Sequence, residues 1–459
     1  MKAMKTGVTL TAFLLVAGML SACGNSDNNN SGNTGNAKNA GNTQDAGNTK
    51  NAGNDGGTTG TTTEKAEVTL MTWESQDMNN KIMESMKKFE QENPGITVKL
   101  MPAPLSDYGT KLNGMIAAKQ APDIFQLGND MLVQDQASNL LFDWTEHASA
   151  DTDFMNGFYP GVLDGWKVDG KNYGLPGLLN TYGIFYNKQL FKDAGLTEPK
   201  IGWTYDEFFA DMKKLSSKKD GVQQYGLYFH PDPFTVSLYA ASAGGSPFAD
   251  NLLNPTSATV SPQFIEGVTK YQQAIADGSM NPATFDLSTI MGPFKDGKVA
   301  MTYQGQWIAD DLIRNAPDLQ WGYVPMPVVT SQAEIYDAVG WASPVSIKNP
   351  DAVWKVMKYL DSTMYKDVLP QTPVAPSAFQ ASASSYYDTL KAAGHQDLAD
   401  GIDHILKSPT TLPVRFLTSW AGKANPFIDT VWNNVLSGKG GEKELQGMAD
   451  KINKTIKAS

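Results

Sequence analysis

The chain has 459 residues, 41% of them apolar and 19% charged, which is enough apolar material for a large core and excludes a fibrous or wholly disordered protein. Its 37 basic and 48 acidic residues give a formal net charge of −11, and Arg314 and Arg415 are its two arginines. Nucleic-acid binding rests on dense Lys/Arg displacing counterions, so that class is a poor match. The single cysteine, Cys23, leaves no internal disulfide and no thiolate metal cluster, and His147, His230, His395 and His404 show no zinc-ligand spacing.

The N-terminus reads as an address. Lys2 and Lys5 precede an apolar stretch of 13 residues, Val8 to Leu20. A helix of that length is too short for a bilayer core of about 30 Å, so it is expected to be a signal segment. It runs into Leu20-Ser21-Ala22-Cys23, which resembles the bacterial lipobox. Residues 1–22 are therefore expected as a signal peptide and Cys23 as a lipidated N-terminus, with several acyl chains giving the anchoring that one alone would not. Residues 23–64, nearly all Asn, Gly, Thr, Ser and Ala, have no apolar period and are expected to be a disordered tether. A flexible chain of that length reaches about 35 Å. The expected location is the outer face of the bacterial cytoplasmic membrane.

From about residue 64 the pattern alternates short strands and amphipathic helices. Val68 to Trp73 predicts a strand, and Asp77 precedes a helix with Met78, Ile82, Met86 and Phe89 on one face. Asn93-Pro94-Gly95 ends it, and Ile96, Val98 and Leu100 alternate as a second strand. A helix from Asp107 carries Tyr108, Leu112 and Met115, and Pro122 to Phe125 predicts a third strand. This β-α-β-α-β order implies parallel strands joined by right-handed crossovers. Thr204-Tyr205-Asp206-Glu207 is a capping box before Phe208, Met212 and Leu215. Ser261-Pro262 and Asn349-Pro350 each place a cap before a first-turn proline, and a final helix runs through Leu445, Met448, Ile452 and Ile456. Two α/β lobes are the natural arrangement for so long a segment.

Four stretches, taken in order, carry a resemblance. They are Tyr173-Gly174-Leu175-Pro176 followed by Tyr186-Asn187-Lys188 and Phe191 to Leu196; Trp203 to Phe208; Phe294 to Met301 with Gly305-Gln306-Trp307; and Gly340-Trp341 to Lys355. From about residue 66 to 457 the chain resembles the extracellular solute-binding proteins of ABC importers, in the carbohydrate-binding group related to maltodextrin-binding protein. The resemblance implies an α/β, two-lobe, periplasmic-binding-protein-like type II fold with several hinge crossovers. It implies one lobe at 66–178 plus 328–372 and another at 179–327 plus 373–459. It further implies a monomeric receptor that closes on an oligosaccharide and delivers it to a membrane permease, with no catalytic residue, cofactor or metal.

The same resemblance suggests the ligand contacts. Trp307 matches the family's stacking tryptophan, and Trp341 lies where the return segment crosses the cleft. Asp130, with Asn129 beside it, stands at the place of a hydroxyl-binding carboxylate. Asn180 replaces a carboxylate of the maltodextrin binders, with Tyr182 after it, which argues against maltodextrin itself. Trp73, Glu74 and Asp77 are supported independently, because strand C-termini in parallel sheets open onto the ligand crevice; Asp77 as a helix N-cap is the other reading. His230 and Asp232, in a proline-stiffened aromatic loop, together with Arg415 and the weaker Gln304 and Tyr303, complete the candidates. An inward Arg415 would favour an acidic saccharide.

Two alternatives stay open. A lipid-anchored glycoside hydrolase would need a matched carboxylate pair, and none stands out by motif. A receptor for a peptide, polyamine, phosphate or iron is the other, although no Tyr/His cluster suits iron.

Overall fold

The structure is a computed structural model that describes residues 65–219, 221–250, 252–253, 255–283, 291–414 and 421–458. It opens with the alternating unit that the periodicity predicts: β1 (Ala66–Thr72), α1 (Gln76–Glu92), β2 (Ile96–Pro102), α2 (Leu105–Ala117) and β3 (Ile124–Gly128), followed by the short α3 (Leu132–Ala137). β2 and β3 both pair with β1 in parallel. α1 buries the expected Met78, Ile82, Met86 and Phe89. Its cap is Ser75, whose side chain accepts from the Met78 N–H at 3.2 Å, so Asp77 sits within the first turn and does not cap it.

Seven further strands complete a ten-stranded mixed sheet. They are β4 (Gly174–Asn187), β5 (Ser217–Lys219), β6 (Val222–Leu227), β7 (Val299–Gly305), β8 (Trp321–Val324), β9 (Glu334–Ala342) and β10 (Thr411–Pro413). The order is β2-β1-β3-β9-β4-β7-β6-β5, with β8 also on β4 and β10 on β9. β9 runs antiparallel to both β3 and β4, and β4 runs antiparallel to β7.

Helices cover this sheet. α4 (Tyr205–Leu215) begins with the predicted Thr204/Glu207 capping box. α5 (Pro233–Ser242) and α6 (Pro262–Ala276) start on Asp232 and Ser261 caps. α7 (Pro350–Tyr359) has its proline in the first turn, but the Asn349 side chain makes no cap bond. α8 (Gln380–Ala392), α9 (Gln396–Lys407), α10 (Ala421–Leu436) and α11 (Glu442–Lys457) finish the chain.

The apolar side chains form two cores. One gathers Val68, Ile82, Phe125, Leu179, Val356 and Tyr386; the other gathers Ile184, Phe208, Tyr239, Phe264, Met301 and Ile452. α8 and α9 fall in the span expected for the second lobe, yet they bury Leu390, Leu398 and Ile402 in the first core, whereas α10 and α11 join the second. Three strands serve both cores: β8 places Trp321 and Tyr323 in the first and Val324 in the second, and β4 and β9, which lie side by side, are also divided. Leu175 and Leu179 of β4 lie in the first, and Ile184 and Tyr186 lie in the second. On β9, Ile335 belongs to the second core, and Ala338 and Trp341 belong to the first.

Trp341 is therefore a correction. It does not face a cleft: it is 1% exposed, and its indole N–H donates to Asp361 Oδ1 at 3.1 Å. Asp361 is itself fully buried, its other carboxyl oxygen lacks a hydrogen bond, and burial holds its pKa well above the usual carboxylate range. The indole is thus a structural partner for a buried acid. Trp341→Phe, which removes that donor, is expected to destabilise the protein by about 1–3 kcal/mol in urea unfolding. A loss of ligand affinity without a stability change would return Trp341 to the site.

Candidate ligand-binding site

The neighbouring shared strands β4 and β9 meet with Asn180 of β4 directly opposite Asp337 of β9. Side chains alternate along a strand, so Tyr182 shares the face of Asn180. Both reach the same carboxyl: the Asn180 amide donates to Asp337 Oδ1 at 2.6 Å, and the Tyr182 hydroxyl donates to Oδ2. Asp337 is 8% exposed, and burial pushes its pKa up to about 7, with the two donors opposing the rise and the charge of Asp130 adding to it. Burial, and then Asp337, drive the Tyr182 phenol well above its ordinary value.

On one side of this floor lies a cavity of about 300 Å³, walled by Trp73, Gln126, Asn129, Asp130, Asp135 and the Asn180/Tyr182/Asp337 group. The ends of β1 and β3 supply its wall. Gln126 fixes the turn after β1, because its Oε1 accepts from the Trp73 N–H at 3.1 Å and its Nε2 donates to Glu74 at 2.5 Å. Burial raises the Glu74 carboxyl, and the Gln126 bond opposes this. The Trp73 ring stands edge-on to Tyr108 with centroids 4.9 Å apart. Asn129 ties the loop to the shared strands: its amide donates to the Val414 carbonyl at 3.2 Å, and its Oδ1 takes the Ala338 N–H at 3.4 Å. Gly128 gives Asp130 its position, since a Cβ there would lie 2.2 Å from Asp130 Oδ1. Asp135 is pushed up to about 6 by burial, with the Asp130 charge adding.

On the other side is a cavity of about 170 Å³ lined by Tyr182, Phe229, Asp232, Tyr303, Gln304 and Trp307 among others. Tyr182 belongs to both cavities. Its ring stacks on Tyr303 at 6.0 Å and meets the edge of Trp307 at 5.5 Å. Trp307 is 40% exposed, an open indole at the end of β7. Two neighbours hold it there. Gly305 leaves room for the ring, which a Cβ would meet at 1.9 Å. The buried Gln306 amide binds β4, accepting from the Thr181 N–H at 2.6 Å and donating to the Leu179 carbonyl at 3.3 Å.

The structure thus brings Trp73, Asn129, Asp130, Asn180 and Tyr182 to the larger cavity and Tyr182, Asp232, Gln304 and Trp307 to the smaller. Asp232 also caps α5, accepting from the Thr235 N–H at 2.7 Å. Glu74 acts behind the wall, through Gln126. Asp77 is exposed and lines neither cavity; its charge helps raise the largely burial-driven pKa of Asp310. His230 is half-buried and outside both linings, and burial lowers its pKa. Arg415 and Cys23 lie outside the described residues. Tyr303, a weaker sequence candidate beside Gln304, also lines the smaller cavity, whereas sequence reasoning missed Asp135, Asp337 and Gln306. Asp337 carried a signal, the one acid within the otherwise largely apolar residues 335–342, because such a group needs hydrogen-bond partners when buried. Asp135 resembled any helix-surface acid.

The Asp337 pKa of about 7 lies above the ordinary 3.8, so its neutral form favours folding. That contribution is complete below about pH 4 and is lost as pH rises through about 7. Asp337→Asn, neutral throughout, is expected to lose less stability than the parent between pH 5 and pH 8 in urea titrations. Equal losses would contradict a buried, titrating carboxyl.

Three comparisons place this geometry among known proteins. A binding protein of Brucella abortus is 28% identical over 313 residues, covering 65% of this chain and 72% of its own. The multiple sugar-binding protein of Streptococcus mutans is 23% identical over 263 residues, covering 55% and 60%. The structure of an ABC substrate-binding protein of Listeria monocytogenes in complex with cycloalternan superposes with a TM-score of 0.70 at 25% identity, over 86% of this chain and all of that one. That likeness bears out the expected two-lobe α/β fold. Residues 84–401, well over half of the chain, match the bacterial extracellular solute-binding proteins, and the chain belongs to that family.

Proposed function

We propose that the protein is the sugar receptor of an ABC importer: it binds an oligosaccharide between its lobes and passes it, chemically unaltered, to a membrane permease. One observation carries this reading. Tyr182 separates an acid-and-amide wall from an aromatic one, on strands common to both cores. A saccharide offers hydroxyls to the first wall and C–H faces to the second. Unpaired hydroxyls in a buried site are costly, so such a wall discriminates well. The relatives support the same ligand class, since one is named for multiple sugars and another holds cycloalternan. A ligand bridging strands that belong to both lobes favours hinge closure. Lipidation at Cys23 would keep this receptor beside its permease.

In this reading Trp307 is the exposed platform on which a sugar ring stacks. Trp307→Ala is expected to weaken oligosaccharide binding by about 2–4 kcal/mol, the loss typical of a central aromatic anchor. Calorimetric titration of parent and variant against a panel of neutral oligosaccharides measures this. Equal affinities would remove Trp307 from the site, and release of new reducing ends during incubation would contradict a pure receptor.

A further inference from the structure

The larger cavity has a third wall, the helix α2. Leu105, Tyr108, Gly109, Leu112 and Asn113 all line it. Their spacing of i, i+3, i+4, i+7 and i+8 puts them on one helical face. Tyr108 and Leu112 dock that face on the domain: both are buried, and the Tyr108 hydroxyl donates to the Gln126 carbonyl at 2.8 Å. Leu105, Gly109 and Asn113 form the exposed row beside them, each a turn from the next. Leu105 is 53% exposed and belongs to neither core. The Asn113 side chain makes no hydrogen bond among the described residues.

Gly109 is the informative member of this row. A glycine inside a helix costs stability through its backbone freedom, and it is worth that cost where the chain needs a positive φ or where another group comes close. Neither need arises within the protein. The backbone of Gly109 is ordinary right-handed helix. A Cβ built on it would meet nothing within 4 Å among the described residues outside its own stretch of helix. The open space belongs to the cavity, which Gly109 borders between Leu105 and Asn113.

We infer that Gly109 is a specificity-determining residue for the saccharide: a sugar ring lies against the bare helix there, with its C–H face toward Leu105 and a hydroxyl within reach of the Asn113 amide. The inference rests on the saccharide reading above and adds where the part of the ligand beyond Tyr182, away from Trp307, is held. From Leu105 to Asn113 the row is about 12 Å long at 1.5 Å per residue, so a ligand that touches both it and Trp307 has several rings.

Filling the gap at Gly109 should change stability and affinity in opposite directions, and that separates a ligand contact from a role in folding. The test is thermal unfolding without sugar, and calorimetric titration of the whole protein with maltotriose, mannotriose and cycloalternan. Gly109→Ala, which removes the helix penalty without a clash, should raise Tm by about 1–3 °C. The same methyl group takes the place of the sugar, so binding should weaken about fivefold or more, and Gly109→Gln should weaken it about fiftyfold or more. Gly114 is the control, because it is the other glycine of α2 with nothing within 4 Å of a Cβ, and it lies outside both cavity linings. Gly114→Ala should also raise Tm but keep the parent affinity within about twofold. Gly109 variants that bind every sugar as tightly as the parent would overturn the inference. So would a Gly109→Ala protein that melts earlier, which would give the glycine to the fold, or an equal loss of affinity in Gly114→Ala, which would trace the effect to helix stiffness. If none of the three sugars binds the parent protein, the saccharide reading itself fails and the inference falls with it.

Discussion

Asp337 holds the centre of this molecule together. It sits where β4 and β9, two of the strands common to both cores, lie side by side, and it receives hydrogen bonds from Asn180 and Tyr182 across that pairing. A buried carboxyl is costly without partners, and these two donors are what make the position tolerable. The same bonds set the side chains that floor the site. Stability at the crossing and shape at the ligand surface are therefore one arrangement.

The two walls around that floor are built by different means. The polar wall comes from strand C-termini and the loops after them, where Gln126 and Asn129 use their amides to brace neighbouring backbone. The aromatic wall depends on a turn. Gly305 is bare enough for the Trp307 ring to lie across it, and Gln306 clamps the turn to β4. Since Tyr182 contributes to both walls, any ligand spanning them touches the shared strands.

Local signals in the chain made much of this legible. The apolar stripe of α1, the Thr204/Glu207 box and the parallel β1–β3 unit each follow from spacing within a few residues. The two glycine-linked tryptophans show where such reading stops. Trp307 and Trp341 both follow a strand glycine closely, but Gly305 makes room for an open ring, whereas Gly340 packs against the Leu175 carbonyl and Trp166 inside the sheet. Which face a ring takes is decided by the neighbouring strand, and that strand is remote in sequence. What Asp337 pairs with was hidden for the same reason, since Asn180 lies 157 positions away. The partner of Asn129, Val414, is equally distant in kind, supplied by the chain's return past β10.

Crystals grown with a bound oligosaccharide test the shared-strand floor most directly. A sugar hydroxyl within about 3 Å of Asp337 or Tyr182, with a ring face laid on Trp307, is the expected result. A saccharide held away from β4 and β9, leaving those side chains untouched, would contradict it.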